Sequence, residues 1–416
     1  MDNTRAGSPL RRQPAIIFIN RYFYPDLSAT SQMLSDLAFD LARDHCVVVI
    51  TSRLRYDSRA RLPNAETIRG VRVRRIATTG FGRASLLGRS ADLVSFHLAA
   101  SLALLRETRR GDVIVAKTDP PLISVVAGWM ASLKRARLVN WLQDLYPEAA
   151  VALGVRGLNG GLARALKAVR DASLTRARVN VTVGEQMAAR LRELSVPDKR
   201  VRVIPNWADE TAISPIAAED KSLCSAWGLE GRFVVAYSGN LGRAHEYETM
   251  LGAAALLADI PTIAFLMIGG GHHTDNLREE AQAAGLANIV FRPYQPFELL
   301  AQSLGAGDVH WISLRPELEG LIVPSKAYGV LAAGRPIIAV THAQGEIARL
   351  VAAHGCGFQI DPGDAQGFAA VVRRLASEPA LVARLGIAAR AAATGPLSQR
   401  IQLARWRDTL AAVSGG

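Results

Sequence analysis

The chain has few cysteines, few aromatic residues and no apolar run long enough to cross a membrane. Its three cysteines, Cys46, Cys224 and Cys356, are too far apart for a CxxC motif. This spacing excludes a disulfide scaffold and favours a reducing compartment. The longest apolar segments, near residues 93–105 and 122–133, fall short of the roughly 20 residues of a spanning helix. The sequence therefore predicts a cytoplasmic protein without a membrane span.

Aromatic residues make up only 6% of the chain, although its net charge is +12. Few aromatics and no RNA-binding motif oppose a nucleic-acid-binding protein. The charge is also uneven: residues 1–205 hold 33 Lys and Arg against 17 Asp and Glu, whereas residues 206–416 hold 16 against 20. A basic first half predicts an anionic partner, such as a membrane surface or a phosphorylated lipid. The excess of Arg over Lys leaves open a compositional bias without any partner.

Short apolar strands alternate with amphipathic helices along the whole chain, and this pattern predicts the α/β class. The predicted strands are 16–20, 47–51, 71–76, 113–116, 138–141, 180–183, 233–237, 263–268, 289–291, 309–312, 336–340 and 357–360. Strands separated by helices of ten or more residues favour parallel sheets. We therefore predict two Rossmann-like, doubly wound parallel-sheet domains that face each other across a cleft.

The rhythm of strands and helices also predicts the domain boundaries. The first domain is expected over residues 1–205 and the second over residues 220–395. Residues 206–219, which include Pro215, are the expected linker. The last helix, within residues 396–416, either stands apart or packs back on the first domain.

The first candidate site is the turn between the predicted strand 233–237 and the helix after it. Gly239 and Gly242 let backbone N–H groups approach a phosphate, while Arg243 and His245 add donors beside Asn240. The spacing matches neither GxGxxG nor the P-loop motif. An ordinary tight turn remains the alternative.

The second candidate lies at the start of the helix that follows residue 324. Ser325 can cap this helix, and Lys326 falls in its first turn, where the helix dipole disfavours a positive charge. A bound anion explains a lysine there, and a solvated lysine is the alternative. In the preceding loop, Glu319 either accepts hydrogen bonds from sugar hydroxyls or is simply exposed.

A glycine run after the predicted strand 263–268 is the third candidate. Gly269 and Gly270 give the backbone room to approach a ligand. Zinc is not expected at the neighbouring His272 and His273, because no carboxylate or cysteine lies at a suitable spacing.

In the first half, three predicted strands are each followed by an aspartate, at Asp26, Asp119 and Asp144. The carboxyl ends of parallel strands meet at one edge of a sheet, so these residues and the nearby Ser28 and Gln143 are candidates on that edge. An aspartate beside a proline is also ordinary turn chemistry.

As a set, six motifs make the chain similar to the GT-B glycosyltransferases, within the large retaining family usually numbered four. The similarity is greatest to the bacterial branch that builds O-antigen, capsule and colanic-acid-like polysaccharides. The motifs span about residues 15 to 340 and are Phe23–Asp26 with Ser28–Gln32, Gln143–Glu148, Pro205–Trp207, Ser238–Gly242, Tyr294–Pro296, and Pro324–Lys326 through Ala332–Pro336.

The resemblance implies that the second domain binds a nucleotide-sugar, expected to be UDP-linked, and that the first binds an acceptor. The turn from Gly239 to His245 would contact the diphosphate together with Lys326. Tyr294 and Gln295 would lie by the nucleobase, and Glu319 would lie near the transferred sugar or the ribose.

The chain departs from the family pattern at several positions. The wider family often carries Arg and Lys in its diphosphate turn, where this chain has Asn240 and His245. Of the family's two glutamates, eight residues apart, the second falls on Gly329 and the first on Leu321, two residues past Glu319. A first-domain His before an Asp is replaced by Gln143, with Asp144 retained.

The implied activity is glycosyl transfer with retained anomeric configuration, with Lys326, Glu319 and Asp144 as candidate catalytic residues. Neither a metal nor a further cofactor is expected, because no DxD pair marks a metal-dependent donor site. The implied acceptor is a polyprenyl-pyrophosphate-linked sugar or another glycan at the inner face of the plasma membrane. The enzyme would then be cytoplasmic and peripheral, and the apolar helix near 93–105 is either an interfacial helix or an ordinary helix covering the sheet.

Two alternatives stay open at this point. A nucleotide-sugar 2-epimerase uses a related two-domain fold but would act on a UDP-sugar without an acceptor. A non-enzymatic nucleic-acid-binding protein would account for the basic charge.

Overall fold

A computed structural model of the chain describes residues 13–55, 61–82, 86–155, 158, 160–217 and 222–415. Contacts divide the chain into two compact units. The first unit runs to Trp141 and adds Val169–Asn180 and the segment from Trp406 to the C-terminus; the second comprises Leu142–Ala168 and Val181–Arg405. The chain thus crosses between the units four times. The domain boundaries at residues 205, 219 and 395 stay a prediction.

An eight-stranded sheet is built from the first half of the chain. Its strands are β1 (Ile16–Ile19), β2 (Val47–Ser52), β3 (Ala65–Ile68), β4 (Val71–Ile76), β5 (Val113–Lys117), β6 (Arg137–Leu142), β7 (Val179–Thr182) and β8 (Val201–Val203). They lie in the order β3-β4-β2-β1-β5-β6-β7-β8. Strand β1 pairs in parallel with both β2 and β5, and all of its residues are buried. Burial on both faces explains why this strand is a continuous apolar run.

One edge strand of this sheet departs from the predicted parallel arrangement. Strand β3 pairs antiparallel with β4. The two are joined by Arg69 and Gly70, which both have positive φ, 49° and 83°. This is the geometry of a tight two-residue hairpin. The sequence pattern did not reveal β3 because its side chains are mostly exposed and it lacks an apolar run.

Fifteen helices are described. They are α1 (Ala29–Leu41), α2 (Leu86–Glu107), α3 (Ile123–Lys134), α4 (Glu148–Ala152), α5 (Gly160–Arg176), α6 (Glu185–Glu193), α7 (Ser222–Ala226), α8 (Glu248–Leu256), α9 (Thr274–Ala283), α10 (Leu300–Gly305), α11 (Lys326–Ala332), α12 (Glu346–His354), α13 (Ala365–Ser377), α14 (Pro379–Thr394) and α15 (Gln399–Gly415). Among the residues that the structure describes, none of these helices combines the length and the apolar character needed to cross a membrane.

A six-stranded sheet is built from the second half of the chain. Its strands are β9 (Phe233–Asn240), β10 (Ile263–Gly270), β11 (Ile289–Arg292), β12 (Val309–Ser313), β13 (Ile337–Val340) and β14 (Gly357–Ile360). They lie in the order β11-β10-β9-β12-β13-β14, and neighbouring strands pair in parallel. This is the doubly wound order: β10 and β11 are added on one side of β9 and β12 to β14 on the other, so the strand order reverses between β9 and β12. Ligands of such sheets bind outside the carboxyl ends of the strands at this switch point.

The C-terminal helix α15 ends inside the first unit. Trp406 is fully buried, and its ring lies 4.5 Å from that of Trp141. Lys117 Nζ lies 3.4 Å from the centre of the Trp141 ring. Desolvation holds the pKa of Lys117 well below its usual range. Arg407 Nε, next along the helix, donates to Asp40 at 2.6 Å.

Candidate active site

The ends of β9 and β12 are joined by hydrogen bonds at the switch point of the second sheet. His245 Nδ1 donates to the carbonyl oxygen of Ser313, the last residue of β12, at 2.7 Å. The backbone N–H of Glu246 donates to the Ser313 hydroxyl at 3.2 Å, and that of Arg315 donates to the Ala244 carbonyl at 3.0 Å. The turn after β9 therefore has a fixed position relative to the loop after β12.

Lys326 reaches into this junction from the first residue of α11. Its Nζ lies 3.0 Å from His245 Nε2. Because Nδ1 of His245 donates to a carbonyl, Nε2 is the acceptor and the lysine is the donor. Burial, followed by the charge of Lys326, lowers the pKa of His245 to about 3, so the ring is neutral. Desolvation lowers the pKa of Lys326 to about 8, which leaves it mostly protonated at neutral pH.

Gly239 makes room for the lysine side chain. Its φ is 129°, and a Cβ atom placed there would lie 2.7 Å from Lys326 Cε. The lysine stem therefore runs across the backbone at the end of β9, and Nζ lies 5.4 Å from the centre of the buried Tyr237 ring. The arrangement presents one ammonium group beside exposed glycine backbone, which suits an anionic ligand.

Three further glycines let the end of β10 approach that of β9. Gly269 has a φ of 121°, and a Cβ there would overlap the Gly239 carbonyl oxygen and come within 3.0 Å of the Tyr294 ring. A Cβ on Gly270 would lie 3.4 Å from the same ring, and one on Gly271 would overlap Asn240. The exposed Tyr294 ring thus forms a flat surface beside the glycines. Gln295 is half-buried, and its amide donates to the Pro293 carbonyl at 2.9 Å.

Glu319 is half-buried in the loop between β12 and α11. Neither of its carboxylate oxygens makes a hydrogen bond of normal geometry among the described residues. Burial raises the pKa of Glu319 to about 7, and the charge of Glu346 adds to this increase. The amides of Glu346 and His342 oppose the shift only in part. A Cβ on Gly345 would overlap the carboxylate, so this glycine accommodates it.

Asp144 and Gln143 lie beside the segment that connects Glu319 to Lys326. Asp144 forms an antiparallel bridge with Ile322, and the Leu145 amide donates to the Leu321 carbonyl at 2.9 Å. Gln143 Nε2 donates to Asn206 Oδ1 at 3.0 Å. The three candidate catalytic residues therefore lie on two paired backbone segments of the second unit.

The other donor-site candidates occupy more open positions. Asn240 and Arg243 are exposed, and Gly242 is half-buried between them. Ser325 occupies the N-cap of α11, but its side chain makes no capping hydrogen bond. Its backbone is already helical, with φ −66° and ψ −18°, so the hydroxyl is not directed at the first amides as an extended N-cap residue would be. The capping role expected for Ser325 is therefore wrong.

The candidates in the first unit follow strands β1 and β5 of the first sheet, and each has its own partner. The Arg21 amide donates to the Asp119 carbonyl at 2.6 Å. Asp26 is buried and its carboxylate lies 4.0 Å from the Arg55 guanidinium. The Ser28 hydroxyl accepts from the Ser31 amide at 3.3 Å and caps α1. Ser28 and Asp26 thus have structural partners, in addition to any role in binding.

Arg315 and Glu346 were not singled out from the sequence. Arg315 lies two residues after the end of β12, so the rule that ligands bind at strand ends could have indicated it. Desolvation lowers the pKa of His273, and the charges of His272 and Arg315 add to this decrease. Glu346 accepts at 3.2 Å from each of the first two amides of α6, a long-range contact that no sequence pattern indicates.

Comparison with known proteins matches both halves of the chain to glycosyltransferase families. Residues 29–207 match the glycosyl transferase 4-like domain, and residues 225–392 match glycosyl transferases group 1. WbjE of Pseudomonas aeruginosa, named as a glycosyltransferase, is 29% identical over 69% of this chain and 72% of its own length. WcaI of Escherichia coli K12, named as a glycosyl transferase of colanic acid biosynthesis, is 27% identical over 70% of this chain and 72% of its own length.

Solved structures show the same fold at lower identity. Sucrose-phosphate synthase from Thermosynechococcus elongatus superimposes with a TM-score of 0.76 and 19% identity, over 96% of this chain and 100% of its own. HepE from Anabaena, solved with UDP, superimposes with a TM-score of 0.72 and 17% identity, over 96% of this chain and 100% of its own. The predicted fold class is confirmed, and the family decides against the epimerase and the non-enzymatic alternatives. With a transferase model matched to each half and curated glycosyltransferases as relatives, the chain belongs to the GT-B glycosyltransferases and is a transferase enzyme.

Proposed function

We propose that this enzyme transfers a sugar from a UDP-sugar to a polyprenyl-pyrophosphate-linked or other glycan acceptor, with retained anomeric configuration, in cell-surface polysaccharide biosynthesis. The observation that carries the proposal is the Lys326 ammonium held by His245 at the switch point of the second sheet. The names of the relatives, among them a colanic acid enzyme, support a role in polysaccharide biosynthesis. The structures of HepE with UDP and with UDP-glucose support the donor.

Lys326 is the group that would stabilise the departing diphosphate. Breakage of the bond between the anomeric carbon and the phosphate oxygen places negative charge on that oxygen, and a preorganised ammonium group in a buried site stabilises it strongly. The neutral His245 ring fixes the direction of the ammonium without competing for the anion. The open backbone of Gly239 allows the phosphates to approach.

The remaining candidates would orient the donor. The exposed Tyr294 ring, lying over Gly269 and Gly270, offers a stacking surface for uracil. Glu319, whose pKa of about 7 lets it hold or release a proton near neutrality, would bind a sugar hydroxyl. Asp144, bridged to Ile322, lies beside the same loop and would face the reacting sugar.

The transfer itself would follow a same-face course. The acceptor hydroxyl oxygen forms a bond to the anomeric carbon on the face that the diphosphate leaves, and its proton passes to the departing phosphate oxygen. No protein nucleophile is required by this course. We further propose that the enzyme acts in the cytoplasm, peripheral to the inner face of the plasma membrane, where a lipid-linked acceptor would be found.

Calorimetric titration of the protein with UDP, GDP and their common sugar conjugates tests the donor site. We expect UDP to bind and Lys326→Ala to weaken it by about 10- to 100-fold, the range for loss of a charge-assisted hydrogen bond. Lys199→Ala, at an exposed lysine of the same unit, serves as the matched control. Binding of UDP that is equally tight in the Lys326 variant would refute the assigned role, and binding of GDP instead would refute the assigned base.

A further inference from the structure

Helix α2 is apolar on two opposite faces. Phe96, Ala100 and Leu104 point into the core of the first unit and are fully buried. Asp92, one turn before them, is also buried and accepts from the amides of Phe81 and Gly82 at 3.0 and 3.1 Å. These residues recur every four positions, as expected for the buried face of a surface helix. An ordinary surface helix would carry polar residues on the opposite face.

The opposite face of α2 carries a row of exposed apolar side chains instead. The row consists of Val94, Leu98, Leu102 and Leu105, which are between 41% and 65% exposed. Their spacing of four, four and three residues places them on one side of the helix over a length of about 16 Å. Because water surrounds these side chains in the isolated chain, the row is a candidate interaction surface.

The neighbouring helix α3 adds to this surface. Helices α2 and α3 pack against one another. Trp129 and Leu133, four residues apart on α3, are 56% and 63% exposed, while Ala127 and Ala131 are buried in the core. Two adjacent helices of the first unit thus both expose large apolar side chains. We call the six residues Val94, Leu98, Leu102, Leu105, Trp129 and Leu133 the apolar face.

Exposed arginines lie at the ends of these helices. Arg106, Arg109 and Arg110 lie at the end of α2, and Arg135 follows α3; all four are exposed. Arg106 comes one turn after Leu102 and borders the apolar row. The nearby Glu107 does not pair with these arginines but with Arg72 and Arg74, at 3.6 and 3.1 Å.

The carboxylate of the neighbouring Asp112 is also held by hydrogen bonds within the first unit. Asp112, just after Arg110, accepts from the backbone amides of Ala15 and Arg109 at 2.9 and 2.8 Å. Its carboxylate is buried. The exposed charge at this end of α2 is therefore positive.

We propose that the apolar face and its flanking arginines dock the first unit on an anionic lipid bilayer, with the apolar row at the level of the upper acyl chains and the arginines at the phosphate level. Apolar side chains bordered by arginine are the composition of an interfacial helix. A second copy of the chain fits this surface less well, because it would offer only positive charge beside its own apolar face, whereas an anionic bilayer supplies both an apolar layer and the opposite charge. The inference deepens the proposed function by naming the surface that would bring the enzyme to a lipid-linked acceptor. The docking proposal rests on the proposed function only for the reason that the enzyme would need to reach a membrane.

Co-sedimentation with vesicles tests the docking surface on the full chain. We expect binding to vesicles of phosphatidylcholine and phosphatidylglycerol in equal parts, weak binding to phosphatidylcholine alone, and loss of binding at high salt. Leu98→Ser/Leu102→Ser should lower the partition coefficient by about 100-fold, because two leucines that the bilayer would bury are lost. The triple variant Arg106→Gln/Arg109→Gln/Arg110→Gln should lose binding on the anionic vesicles and change little on the neutral ones.

A matched control separates this surface from general loss of apolar area. Leu256→Ser/Ile387→Ser makes the same chemical change at two exposed positions of the second unit, 42% and 72% exposed, and should bind vesicles like the unmodified protein. UDP titration of every variant keeps the two proposals apart, since Leu98→Ser/Leu102→Ser should bind UDP unchanged. The docking proposal is overturned if that variant still binds vesicles, or if light scattering shows a dimer that the same two substitutions dissociate.

Discussion

The ammonium group of Lys326 lies 3.0 Å from Nε2 of His245, a residue 81 positions earlier in the chain. The other ring nitrogen of His245 donates to the Ser313 carbonyl. The imidazole is therefore fixed in one tautomer and acts as an acceptor for the lysine. A strongly lowered pKa keeps it neutral over the physiological range.

UDP binding should take up a proton when the pH is near 8. The pKa of Lys326 is lowered to about 8 by desolvation, and a bound diphosphate favours the charged form. Part of the lysine is neutral at pH 8 and must gain a proton on binding, so affinity should fall as the pH rises through 8. Calorimetry in two buffers of different ionisation enthalpy measures the uptake. The uptake should vanish in Lys326→Ala, and an unchanged uptake in that variant would exclude Lys326 as its source.

Replacing Gly239 by alanine should displace the lysine, whereas the same change at Gly329 should be tolerated. At Gly239, a φ of 129° and the approach to Lys326 Cε make a Cβ costly, by about 1–2 kcal/mol or more in stability. At Gly329, inside α11, the nearest atom to a new Cβ is Leu304 Cδ1 at 3.6 Å. The helix should gain about 0.5–1 kcal/mol there.

Urea unfolding and UDP titration of the two glycine variants give the comparison. Gly239→Ala should be less stable and should bind UDP more weakly, while Gly329→Ala should be at least as stable as the unmodified protein. Equal behaviour of the two variants would contradict the assigned position of the lysine stem.

Glu319→Gln should stabilise the ligand-free protein at high pH. The folded-state pKa of Glu319 is raised from 4.5 to about 7, mainly by burial. Between those values the folded state holds more protons than the unfolded state, so this group makes stability fall as the pH rises. The amide variant removes that dependence and should gain about 1–2 kcal/mol above pH 7, allowing for partial exposure. Urea unfolding at pH 5.5 and pH 8 measures the free energy of unfolding of both proteins. An equal gain in stability at the two pH values would contradict the raised pKa of Glu319.

Trp406→Ala should destabilise the first unit strongly. The Trp406 side chain is fully buried against Trp141, and such a truncation in a core costs about 3–5 kcal/mol. Trp129→Ala makes the same change at an exposed position and should cost about 0.5 kcal/mol or less. Chemical unfolding followed by fluorescence compares them. Equal losses in the two variants would show that α15 does not anchor the first unit.

Twelve of the strands could be predicted because each is a short apolar run between turn residues, as in 16–20 and 263–268. The hairpin strand β3 could not, since its side chains are mostly exposed and its turn depends on positive φ at Arg69. Strand β8 was also missed, because it has only three residues, with an arginine in the middle. The candidate site was predicted in part, from residues that follow strands or start helices. What the pattern could not give is the contact between Lys326 and His245, or the absence of a cap at Ser325, because both depend on how distant segments pack.

The four crossings of the chain between its two units bear on how the enzyme can be divided. The second unit is interrupted by Val169–Asn180, and the first is completed only by the segment after Arg405. No single cut in the gene can therefore yield two self-contained fragments. Expression of the chain from residue 206 alone would leave out Asp144, which bridges to Ile322. An isolated second unit would instead have to begin at Leu142 and end at Arg405, with Val169–Asn180 replaced by a linker.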